Sequence, residues 1–186
     1  MNKKSSTLIA LAVSTGLFSV AASAITGTSS VQATFTSTIE AGTCTAQIQS
    51  AAGQPISTLA FGDVFKSDLV AQTRSEPFKI AFSGCAGVKS ATVQAIPGSG
   101  GGCSGPNADG DSFSAGHATG FEVWKGIAGS GSLMNCNTRP QQNISISSAT
   151  ATVDMAARIV IAKDRTIANV TTGDVSAPVT FVVTYQ

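Results

Sequence analysis

The chain is 186 residues long, 42% hydrophobic and only 11% charged, with 11 Lys and Arg set against 10 Asp and Glu. A net charge of +1 spread so thinly leaves no basic patch for nucleic acid or for an anionic membrane surface. Nineteen glycines and a 6% aromatic content, among many Ser, Thr, Ala and Val, suit an all-β protein.

Residues 1–24 read as an export signal. Lys3 and Lys4 supply the positive start, Leu8 to Val20 the apolar run, and Ala22-Ser23-Ala24 the small-residue cleavage site. The run is too short for a membrane span, so no membrane insertion is expected. Taking 24 from 186 leaves 162 residues with a formal charge of −1 once Lys3 and Lys4 are gone, enough for one domain with one core.

Strand-like runs then alternate with turn signals. Val31, Ala33 and Phe35 alternate ahead of Cys44, and Leu59 to Val64 follows a Gly53-Gln54-Pro55 turn. Next come Phe78 to Phe82, Ser90 to Ile96 (closed by Pro97-Gly98), Phe121 to Trp124, Gln142 to Ile146 and Ala156 to Ile161. The last run is the most regular. Val175, Ala177, Val179, Phe181, Val183 and Tyr185 share one face of an extended chain, while Val182 is the single large apolar residue on the other. Such a strand needs a neighbour to satisfy its backbone. About seven or eight short strands with frequent turns predict a β-sandwich, and no window carries a capped helical pattern. Pro97 to Gly120, rich in Gly, Ser, Asn and Asp, reads as one long loop.

Cys44, Cys85, Cys103 and Cys136 are an even number in an exported chain and are expected to form disulfides. Of the three pairings, Cys44 with Cys85 and Cys103 with Cys136 is expected, because each first member then finds a partner in the next such region without crossed loops. No C-x-x-C spacing suggests zinc or redox chemistry.

Catalytic signals are sparse. His117 is the only histidine, and Asp109, Asp111, Ser112 and Ser114 lie near it, but no G-x-S-x-G elbow presents a serine nucleophile. Asn107, Asp109 and Asp111 alternate as calcium ligands do, yet Ser112 and Ala118 stand where an EF-hand needs Gly and Glu. Trp124 is read as packing rather than as a sugar platform, and Asn143-Ile-Ser145 and Asn169-Val-Thr171 fit glycosylation acceptors. No catalytic residue, metal or cofactor is expected.

Four segments, in order, resemble the chaperone–usher pilins, specifically type 1-like fimbrial subunits of Gram-negative bacteria. They are Phe35 to Cys44, Leu59-Ala-Phe-Gly-Asp-Val64, Pro77-Phe-Lys-Ile-Ala-Phe-Ser-Gly-Cys85 and Gly173 to Gln186, with Gly173 and the penultimate Tyr185 the most specific positions. The resemblance implies an incomplete immunoglobulin-like β-sandwich that lacks its final strand and is completed by a donated one. It implies three regions: the signal peptide at 1–24, a donor-strand extension at 25–36 and a pilin domain at 37–186. The acceptor groove and chaperone-binding strand are then Gly173, Val179, Phe181, Val183 and Tyr185. The donor residues are Gly27, Val31, Ala33 and Phe35, although Ser29 falls between Gly27 and the bulky positions, where the family usually has none. By position, Cys44–Cys85 corresponds to the family disulfide, and Cys103 and Cys136 are additional to the usual pattern.

The implied partners are a periplasmic pilus chaperone, an outer-membrane usher and neighbouring pilin subunits in a head-to-tail polymer at the cell surface. A host glycan receptor enters only in the alternative of a minor or tip subunit that binds glycans through the Cys103–Cys136 loop and Trp124. Three or four large side chains entering a groove at about 1.5–3 kcal/mol each add roughly 5–10 kcal/mol. Whole domains are stable by about 5–15 kcal/mol, so a lone subunit is expected to be marginal.

Overall fold

The computed structural model describes residues 33–37 and 42–186, so the expected export signal and the expected donor positions Gly27 and Val31 lie outside it. Residues 33–37, which include Ala33 and Phe35, are exposed and carry no regular structure. The rest of the described chain forms nine strands: β1 (Thr43–Ser50), β2 (Ser75–Ala86), β3 (Ser90–Pro97), β4 (Phe113–Gly116), β5 (Thr119–Lys125), β6 (Ser132–Leu133), β7 (Gln142–Ser145), β8 (Ala151–Ile161) and β9 (Val179–Tyr185). One sheet runs β1-β2-β8-β5-β4, with β6 also paired to β5; the other runs β7-β3-β9. All the pairings are antiparallel.

Period-2 alternation explains how the sheets meet. Phe78, Ile80 and Phe82 of β2 and Met155 and Ala157 of β8 bury the inner face of the larger sheet; Ala91, Val93 and Ala95 of β3 and Ile144 of β7 bury that of the smaller. A second cluster of Leu69, Ile159 and Val170 closes one region of the sandwich, with Phe61 and Phe121 packed against it at 4.8 Å between ring centroids.

Three stretches differ from the sequence reading. Leu59 to Val64 alternates like a strand but is not one. Leu59 and Phe61 do pack inward, yet the Phe61 carbonyl accepts from the Arg74 guanidinium (Nε at 3.1 Å) instead of joining a ladder, and Gly62 turns the backbone at φ 63°. Helix α1 (Lys66–Ala71) follows, too short to display a helical repeat; Asp68 Oδ2 accepts the Phe65 N–H at 2.9 Å at its start. The loop from Pro97 to Gly120 contains β4 and a backbone-paired arm described below. The ladder of the last strand begins only at Val179, although the apolar alternation starts at Val175.

Candidate functional site

β9 pairs with β3 in a continuous register: Val179 with Pro97, Phe181 with Ala95, Val183 with Val93 and Tyr185 with Ala91. Among the described residues its other edge pairs with nothing. An edge strand with this many inward apolar side chains is the feature that soluble proteins normally cover.

The inner face here is only partly covered. On β3 the inward residues Ala91, Val93 and Ala95 are 0%, 2% and 1% exposed. Their cross-strand partners on β9, Tyr185, Val183 and Phe181, face the same core and are only partly buried, as is Val179. Phe181 reaches Phe78 at 5.9 Å between centroids and Tyr185 meets Phe82 edge-on at 6.4 Å, so β9 touches the floor of the core while its outer flank stays open. β1, the edge strand of the opposite sheet, lies against β9 and contributes the partly buried Ile48. The partly buried inward side chains of β9 thus lie along its unpaired edge, beside β1 of the opposite sheet. Val182, on the opposite face of β9, is 41% exposed.

Both ends of β9 are tied down. At the C-terminal end the Gln186 carbonyl accepts from the N–H of Lys89 (3.0 Å) and Ser90 (3.2 Å), and the Gln186 N–H donates to Ser90 at 2.8 Å. Gly173 precedes the strand with φ 144°, and the ring of His117 lies so close above it that a Cβ would stand 2.6 Å from Cε1 and Nε2. A side chain fits neither the conformation nor the space.

The remaining candidate residues separate. His117 Nδ1 is 2.7 Å from Thr171 Oγ1, not from a carboxylate, and Ser112 is buried with its hydroxyl donated to Ser104 Oγ at 2.7 Å. Asp109 Oδ2 accepts from Lys163 Nζ at 2.7 Å, whereas Asp111 accepts from the Asn135 amide. The hydrogen bond from the Lys163 ammonium holds the Asp109 carboxyl below its ordinary value and reciprocally holds Lys163 above its own. Trp124 donates its indole N–H to Glu122 Oε2 (3.0 Å), and the guanidinium of Arg158 stands 5.5 Å over its ring while making two bonds to the same carboxylate. The disulfides are Cys44–Cys85, joining β1 to β2, and Cys103–Cys136. The arm held by Cys103–Cys136 had no signal in the sequence beyond the cysteines, because its pairing relies on backbone groups of Gly and Ser.

No family model matches the chain. It is 38% identical over 183 residues to the uncharacterized fimbrial-like protein YadL of Escherichia coli strain K12, an alignment covering 91% of this chain and 90% of that one. Its fold is similar to that of the P pilus rod subunit PapA, with a TM-score of 0.52 at 20% identity over 70% of this chain and 93% of that one. A chain from the structure of a chaperone–usher pilus concerned with rod uncoiling gives 0.54 at 20% identity, covering 85% and 96%. The shared fold is an immunoglobulin-like sandwich short of one strand.

Proposed function

This chain belongs to the fimbrial-like proteins, and from that premise we propose that it is a structural, non-enzymatic subunit of a fimbria assembled by the chaperone–usher route. The extension at 25–36 of one copy supplies the missing strand of the next, along the unpaired edge of β9 beside β1. The observation that carries this is the contrast across a single ladder: Val93 is sealed and Val183, directly opposite, is not. One more strand beside β9 satisfies its backbone edge and covers Val179, Phe181, Val183 and Tyr185 together.

Before assembly the same edge is the site of a periplasmic chaperone, which lends a strand, and an outer-membrane usher is where the exchange takes place. Gly27, Val31, Ala33 and Phe35 form the donor face. The subunit reaches the cell surface within the polymer and contributes to adhesion as part of the fibre. Residues 1–24 direct export and 37–186 form the accepting domain.

The test is direct. A chain lacking residues 25–36 is mixed with a synthetic peptide of that sequence and run unboiled on a denaturing gel. The expected result is a 1:1 complex that resists the detergent and dissociates on boiling, together with ladders from the full mature chain. A mature chain that refolds as a stable monomer, takes up no peptide and gives no ladder would refute the proposal.

A further inference from the structure

The segment leading into β9, Thr171 to Pro178, packs Val175 and Ala177 on the cores and takes its polar contacts from Gly98 and from the chain around β4. The Gly98 N–H donates to the Pro178 carbonyl at 2.9 Å, and the Ser176 N–H donates to the Ala115 carbonyl at 3.2 Å. His117 bonds Thr171 and roofs Gly173. Pro178 packs so tightly on Gly98 and Gly101 that a Cβ on either glycine would stand 3.0 Å from the proline ring.

Ala115 and His117 lie inside the loop closed by Cys103–Cys136, and Gly98 precedes it, directly after β3. Residues 102–104 run antiparallel to 112–114: Ser114 N–H donates to Gly102 at 2.8 Å, Ser104 N–H to Ser112 at 2.8 Å, and Cys103 bridges Phe113. The Cys136 N–H donates to Asp111 at 2.8 Å, and the disulfide fixes the arm there, with Cys103 and Cys136 both buried. The arm continues through β4 to a two-residue turn at His117 and Ala118, which have φ of 51° and 58°. Both central residues of such a turn sit in the left-handed region, where Asn and Gly are the favoured occupants. A histidine there is a local cost, and its ring makes the contact with Thr171 and Gly173.

We infer that the arm closed by Cys103–Cys136, together with Gly98 just ahead of it, is a cradle that fixes the path of the chain into the accepting edge, with Gly98 and His117 as its positioning residues. The inference deepens the reading of β9 as a strand acceptor and rests on it. Upstream of Val179 the Ser176 N–H is held by Ala115 and the Pro178 carbonyl by Gly98, so main chain sets the path of the segment that leads into the strand. An incoming strand of the same chemistry as residues 25–36 then meets an edge in a fixed position, with inward side chains at 179, 181, 183 and 185.

Hydrogen exchange on the full mature chain tests it, because each end of β9 has its own reporter amides. Residue 98 and Ser176 report the cradle; Lys89, Ser90 and Gln186 report the far end. Gly98→Ala pushes Pro178 away with the disulfide intact, His117→Ala removes the roof, and Cys103→Ser with Cys136→Ser releases the arm. The expected result is exchange faster by about tenfold or more at residue 98 and Ser176, with the far-end amides unchanged within about threefold. Equal acceleration at both ends, or none, in Gly98→Ala and His117→Ala overturns the cradle, even should the cysteine variant fail to fold. A second arm uses the synthetic 25–36 peptide: Gly98→Ala slows its uptake, whereas an unchanged rate counts against the cradle. Failure of the unmodified chain to take up peptide refutes strand acceptance, while the exchange pattern still decides the cradle.

Discussion

Val183 of β9 lies directly opposite Val93 of β3, and the two side chains face the same core from the same sheet, yet only Val93 is sealed from solvent. The adjacent Val182 points outward. Charging these two neighbours therefore separates fold from function. Val182→Lys is expected to leave peptide uptake and stability within about 0.5 kcal/mol of the parent. Val183→Lys is expected to abolish formation of the detergent-resistant complex, since a charge placed in the groove has no partner there. Gel shift and chemical denaturation read the two effects; equal behaviour of both variants would break the assignment of faces.

Phe35 is 93% exposed in the isolated chain, an unusual place for a large aromatic unless it is buried elsewhere. Phe35→Ala is expected to weaken donation by about 1.5–3 kcal/mol, and to leave the same molecule able to accept the unmodified peptide. Measuring uptake rates in the two directions tests this. A loss of acceptance as well would mean that Phe35 supports its own domain.

Ser104 and Ser112 form a hydroxyl pair that is both buried and closely overlaid: a Cβ on Gly110 would strike Ser104 Oγ, and one on Gly120 would strike Ser112 Oγ. Ser112→Ala leaves Ser104 without that partner and is expected to cost about 1–3 kcal/mol. Thermal unfolding of the variant against the parent reads this, and an unchanged midpoint would contradict it.

Arg158 and Glu122 are directly opposed across β8 and β5, with side chains only 14% and 17% exposed, and Trp124 bonds the same carboxylate. A pair this shielded is costly to break from one side. Arg158→Ala is expected to destabilise by about 2–4 kcal/mol and to change the emission of the only tryptophan, Trp124, before global unfolding. An intact emission spectrum would mean that the ring does not depend on the guanidinium.

Asp109 and Lys163 give a pH prediction with a definite sign. The Lys163 hydrogen bond holds the Asp109 carboxyl below its ordinary 3.8, and Asp109 holds Lys163 above 10.5. The Asp109 contribution is thus present above the ordinary carboxylate value and fades as pH falls through the lowered one; that of Lys163 is present below 10.5 and fades as pH rises through the raised value. Carboxyl NMR is expected to place the Asp109 midpoint below 3.8 and to return it upward in Lys163→Met. An identical midpoint in both proteins would exclude the coupling.

The strands that were legible in the sequence are those whose alternation is enforced by burial, β2, β3, β5, β7, β8 and β9. Leu59 to Val64 alternates for the same reason and still forms no ladder, because the deciding group is a guanidinium thirteen residues away, at Arg74. The loop from Pro97 to Gly120 hid its order because glycine and serine pair through main-chain atoms, which leave no period in side-chain hydropathy. The apolar face of β9 could be read from residue types alone. That its flank stays open could not, since alternation reports which way side chains point and never how many neighbours stand beside a strand.

The Cys44–Cys85 bond sits at the second residue of β1, where the chain that precedes the sandwich enters it, with the two Cα atoms 4.2 Å apart. Tension pulled through that entering chain arrives at Cys44 and divides, part along β1 and part through sulphur into β2, a long strand laddered on both sides. The outermost strand is thereby spared from being unzipped one hydrogen bond at a time, because the load passes through the sulphur bridge before it reaches the edge ladder.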